Sequence, residues 1–132
     1  MLKIKRPLYT QLLYHLQTAD PLEACGFLAG RGNVVEQIYI INNILQSPTA
    51  YEMDPRQQLD AMLDMEANQW EMVAIFHSHP NGPQTPSETD IHLAYYPEAI
   101  YLIVSFENKS APIMRGYKIQ DKVVSEVSWQ IV

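Results

Sequence analysis

One mixed β-sheet with helices packed on it, an α/β (α+β) arrangement, is the fold class that this sequence predicts. Three observations carry it. The chain has 132 residues, a length that suits a single domain over 1–132. Hydrophobic residues make up 47% and charged residues 18%, enough apolar material for a real core. Segments of helical and strand periodicity then alternate along the chain as helix, hairpin, helix, strand, short helix and three strands.

The first helix follows Pro7, where Leu8, Leu12, Leu13 and Leu16 recur at helical spacing until Asp20-Pro21 breaks the pattern. CGFLAG (25–30) and VVEQIYII (34–41) read as two strands joined by the turn Arg31-Gly32-Asn33, an antiparallel hairpin. Asp54-Pro55 opens the second helix, with Asp54 as N-cap, Pro55 at the first helical position and Gln57 as the capping-box partner. Leu59, Met62 and Leu63 form its expected apolar stripe. Met72 to Phe76 reads as a buried strand that ends in His77-Ser78-His79 and runs into the stiff loop PNGPQTP. Ser87 opens a short helix, SETDIHLAYY, that stops at Pro97. AIYLIVSF, PIMRGYKI and VVSEVSWQIV complete the sheet as three strands.

Composition excludes several classes. Fifteen acidic residues against nine basic ones leave a formal charge of −6, which speaks against a nucleic-acid binder and a polybasic membrane anchor. The lone Cys25 forms no internal disulfide and no Cys-x-x-Cys pair, which fits a reducing, cytoplasmic setting. No apolar run approaches the roughly 18 residues of a membrane span, and the N-terminus lacks the pattern of a signal peptide.

His77 and His79 stand two apart on a strand, so their side chains share one face, with Cα atoms roughly 6–7 Å apart. That pair alone reads equally well as two polar residues at a strand end. Ser87-x-x-Asp90 reads as a capping box, and it also offers a carboxylate as a third ligand. Two imidazoles and a carboxylate suit zinc and leave a fourth tetrahedral position for water, the arrangement of a catalytic site. Such a water needs a base. Glu23, at the entrance to an apolar strand, is the candidate, although by itself it reads as a loop acid.

Taken together, Glu23, His77-Ser78-His79-Pro80 and Ser87-x-x-Asp90 resemble the motif of the JAMM (MPN+) zinc metalloproteases. Seven residues, 80 to 86, fill the gap that this family places between His-x-His and Ser-x-x-Asp. Glu23-Ala24-Cys25-Gly26 also resembles the Glu-x-Cys-Gly of bacterial members. The resemblance implies a deaminase-like three-layer sandwich. It implies one Zn2+ per chain on His77, His79 and Asp90, with Glu23 as general base and Ser87 stabilising the oxyanion. It further implies hydrolysis of a peptide or isopeptide bond after the C-terminal tail of a ubiquitin-like protein. The short chain resembles the compact stand-alone prokaryotic type, for which a β-grasp sulfur-carrier protein with a Gly-Gly tail is the expected partner. Pairing of two copies is left open. The alternative is a non-catalytic zinc-binding scaffold of the same family. A zinc deaminase is disfavoured because its His-x-Glu and Pro-Cys-x-x-Cys signature is absent.

Overall fold

A computed structural model describes residues 1–132. Its elements in chain order are β1 (Leu2–Ile4), α1 (Arg6–Ala19), β2 (Cys25–Arg31), β3 (Val34–Ile41), α2 (Pro55–Ala67) and β4 (Glu71–His79). They continue with α3 (Glu88–His92), β5 (Ile100–Ser105), β6 (Ile113–Gln120), β7 (Val123–Val127) and β8 (Trp129–Ile131). The eight strands form one mixed sheet in the order β7-β6-β5-β4-β2-β3-β1-β8. The expected mixed sheet between helical layers is therefore the fold. No helix is long and apolar enough to cross a membrane.

The hairpin of β2 and β3 forms as expected, and Gly32 at φ 61° supplies the left-handed turn residue. Strand β4 lies beside β2 antiparallel and beside β5 parallel, so it is central and buried on both faces. Its alternation sorts the layers. Ala74 and Phe76 join Leu12 and Leu16 of α1, while Ile75 joins Ala61 and Met65 of α2. His77 shares the parity of Ile75 and so faces the α2 layer.

Four expectations need correction. Of the expected α2 stripe Leu59, Met62 and Leu63, only Met62 packs against the core; Leu59 and Leu63 are half exposed, and the helix buries Ala61 and Met65 instead. A small residue at 61 lets the helix approach the sheet, which fixes its rotation. Met65→Ala is accordingly expected to cost about 2–5 kcal/mol in chemical denaturation, and Leu63→Ala under about 0.5 kcal/mol. Asp54 does cap α2, accepting from Arg56 N and Gln57 N, but Gln57 turns its side chain to Asn42 N at 2.7 Å rather than closing the box. The third helix covers only Glu88–His92: Leu93 N–H still donates to Thr89 O, but Ala94 donates to Ile91 O, Tyr95 to Leu93 O and Tyr96 to the Tyr101 hydroxyl.

The last expected strand is two strands. It breaks at Ser128 into β7 and β8, which lie on opposite edges of the sheet. With one residue between them, the sheet must curl until its edges meet. Trp129 Nε1 donates to Met114 O of β6 at 3.0 Å, and the Trp129 ring stacks on Tyr9 of α1 at 5.5 Å. The curl encloses α1, whose Leu12 and Leu16 share one cluster with Leu2 and Ile4 of β1, Val104 of β5 and Met114 of β6. Strand β1, which sequence periodicity missed, is three residues long and runs parallel to both β3 and β8.

Candidate metal centre

The carboxyl end of β4 builds the site. His77 and His79 leave the strand on the α2 face, and the two Nε2 atoms stand 3.1 Å apart. The short helix α3 brings up Asp90, whose Oδ2 lies 3.1 Å from each Nε2. These are the three residues whose donor atoms converge closely enough to hold one ion. The oxygen of Asp90 that faces the histidines is also the one that serves the helix cap. Ser87 Oγ accepts from Asp90 N at 3.0 Å, and Ser87 N donates to Asp90 Oδ2 at 2.9 Å, a full capping box. The cap thus fixes the carboxylate oxygen that meets the histidines.

The donor set fits zinc. Ligands about 2.0–2.1 Å from a tetrahedral ion stand about 3.3 Å apart, so a triangle with 3.1 Å edges is already the base of such a site. His79 Nδ1 donates to Pro83 O at 2.7 Å, which leaves Nε2 as the lone-pair nitrogen. His77 is buried beneath the Tyr51 ring, with centroids 4.6 Å apart. Burial lowers the pKa of His77. Burial also works against the His79 cation, but bonding to Asp90 and to the Pro83 carbonyl outweighs it and raises the pKa. Asp90 resists its own burial through the two histidines and Ser87 N, which hold it well below the usual carboxylate range.

Glu23 lies just before β2, and the register Cys25↔His77, continued two residues, sets it abreast of His79. Its neighbour Ala24 is pinned to Ser78, between the two histidines. Ala24 N donates to Ser78 Oγ, and Ser78 N donates to Ala24 O, each at 3.0 Å. Glu23 N donates to Ser47 O at 2.9 Å, and Asn43 Nδ2 donates to Glu23 O at 3.0 Å. Glu23 is only 5% exposed, and its Oε1 is buried without a hydrogen-bond partner. Burial is the main cause that raises its pKa to about 7, with the nearby His79 opposing and Asp90 assisting. A carboxyl poised there can both take and return a proton near neutrality.

That shift has a stability consequence. The folded carboxyl keeps its proton to about pH 7 and the unfolded one releases it near 4.5, so the folded chain binds more protons between them. Stability from this group is full below pH 4.5 and is lost as pH rises through 7. In metal-stripped protein, Glu23→Gln should flatten this fall by on the order of 3 kcal/mol, read as ΔG from urea titrations across that window.

A cleft of about 380 Å³ runs from Asp90 between Tyr51, Met53, Leu93, Tyr95 and Tyr96. Of the other singled-out residues, Cys25 is buried with its thiol donating to Ile41 O at 3.4 Å, and burial pushes its pKa to about 12. His92 is exposed at the end of α3, and His15 packs edge-on to Phe76 on the opposite face of the sheet from the histidine pair. Periodicity and spacing missed Asn43, Tyr51 and the anchoring role of Ser78. Only Ser78 carried a signal, its place between the two histidines.

Comparisons with known proteins agree with this geometry. The model of a family described as prokaryotic homologs of the JAB domain matches residues 5–118. A CysO-cysteine peptidase from Mycobacterium tuberculosis is 35% identical over 134 residues, covering 100% of this chain and 92% of that protein. A desampylase from Pyrococcus furiosus is 37% identical over 97 residues, 74% of this chain and 69% of its own length. The solution structure of a protein from Desulfitobacterium hafniense superposes with a TM-score of 0.90 at 39% identity, covering 100% of this chain and 93% of that one.

Proposed function

This chain belongs to the JAB/MPN (JAMM) family in its prokaryotic branch, and on that premise we propose that it is a zinc-dependent protease that cuts after the C-terminal tail of a ubiquitin-like or sulfur-carrier protein. The observation that carries the reading is the convergence of His77 Nε2, His79 Nε2 and Asp90 Oδ2 beside the buried carboxyl of Glu23. The first three would hold one zinc ion per chain. When bound, the ion supplies a Lewis acid for the scissile carbonyl and lowers the pKa of water.

The chain's own residues do the rest. Glu23 accepts a proton from the attacking water as its oxygen bonds to the carbonyl carbon. Ser87 Oγ has its lone pair engaged by Asp90 N, so its proton is free to donate to the developing oxyanion. The C–N bond then breaks, and Glu23 returns the proton to the departing amine. No acyl-enzyme forms, since the Cys25 thiol is buried, protonated and bonded to a carbonyl.

The names of the relatives support the substrate class, because one is a CysO-cysteine peptidase and another a desampylase. The apolar, tyrosine-rich cleft beside Asp90 supports it as well, since an extended tail needs such a track to reach the metal. The test is incubation of zinc-loaded protein with β-grasp fusions that extend beyond a Gly-Gly tail, followed by mass spectrometry. Cleavage after the second glycine is expected. Tight binding with the fusions intact would show a scaffold in place of a protease.

A further inference from the structure

The loop 80–86 carries three consecutive carbonyls that each accept a hydrogen from a side chain. Gly82 O accepts from Ser105 Oγ at 2.7 Å, Pro83 O from His79 Nδ1 at 2.7 Å, and Gln84 O from Tyr117 Oη at 2.8 Å. The two outer donors come from β5 and β6 and are 3% and 4% exposed. A carbonyl can only accept, so the Ser105 proton is committed to Gly82, and Ser105 Oγ in turn accepts from Glu107 N at 3.3 Å. The middle bond is the only one that reaches the outer nitrogen of either imidazole, because His77 Nδ1 is buried without a partner. The loop also passes close to the His79 side chain. A Cβ at Gly82 would stand 3.2 Å from His79 Cβ and 3.4 Å from its Cγ.

These contacts act on successive peptide planes. Ser105 holds the plane between residues 82 and 83, Tyr117 holds the plane between 84 and 85, and the ring of Pro83 restricts its φ. The plane between them, whose carbonyl meets His79, then has little freedom to turn. We propose that Ser105 and Tyr117 are positioning residues of the metal centre: by gripping the carbonyls on either side of Pro83, they keep that carbonyl on His79 Nδ1 and so keep Nε2 deprotonated and aimed at the ion. This rests on the metal-centre reading above. It assigns function to two side chains far beyond His79 in sequence, neither of which is among the three converging donors.

The test uses the full chain and the metal alone. Tyr117→Phe and Ser105→Ala each delete one hydroxyl and keep most of the packing. Zinc affinity is measured by competition with a chromophoric chelator, and Co2+ loading is followed by its visible absorption. Each variant is expected to bind zinc about tenfold more weakly and the double variant more weakly still, within the roughly 10- to 100-fold range of outer-shell partners. The metal-stripped Tm should fall by no more than a few degrees, and the Co2+ spectrum should change shape. Tyr39→Phe, which deletes a hydroxyl bonded to Asp64 away from the loop, should leave affinity unchanged. Zinc affinities within twofold of the unaltered chain in both single variants, with or without a drop in Tm, would overturn the proposal and mark the pair as structural only. Failure of the unaltered chain to bind zinc would instead overturn the metal-centre reading itself.

Discussion

Glu23→Gln is expected to retain one zinc per chain and to lose about 10²- to 10⁴-fold in turnover. The amide has the size of the carboxyl and keeps the backbone bonds to Ser47 and Asn43 that hold the position. It cannot accept the proton of water or carry it to the amine. The loss should fall on kcat with KM little changed, because the group acts on the reacting atoms and not on the tail. Metal analysis and steady-state kinetics on the same preparation check both halves. Near-normal turnover would remove Glu23 from the mechanism.

Asp90→Ala is the second large effect. It removes the proposed zinc ligand and the N3 carboxylate of the capping box together, so zinc affinity should fall by at least about a hundredfold and activity to background. The two roles can be separated with Asp90→Asn. Its amide oxygen can still accept from Ser87 N and preserve the start of α3, a cap contact worth about 1 kcal/mol, but it is a poor ligand for zinc. The expected pattern is a metal-stripped stability near that of the unaltered chain for Asn, a lower one for Ala, and little zinc in either. If Asp90→Asn keeps full zinc occupancy and turnover, the ligand set is wrong.

The site was legible in the sequence wherever its geometry is local. His77 and His79 share a face because strand side chains alternate, and Asp90 returns to them because Ser87 and Asp90 cap a helix at fixed spacing. Glu23 is distant in sequence, and the family motif was needed to join it to the histidines. The outer contacts were out of reach for the same physical reason. Ser105 and Tyr117 sit on strands whose register against the loop follows from the packed sheet and from nothing in their neighbourhood. In α2 hydrophobicity favours the bulky Leu59 and Leu63, whereas the closeness of helix to sheet selects Ala61. Hydrophobicity alone does not say how near two layers will come.

The curled sheet has one more consequence, and it concerns time. Leu2–Ile4 is the first strand to be synthesised here, and its parallel partner Trp129–Ile131 is the last. Val132 N closes the pair by donating to Ile4 O at 3.0 Å. Cluster residues from β1, β5 and β6 meet on α1 beside this pair. Closure of this edge therefore waits for Trp129–Ile131, and it joins the two strands furthest apart in sequence, a slow kind of contact to form. The metal centre has no such wait. Its donors come from β4 and α3, so the ligands can assemble while the first strand is still unpaired on one side.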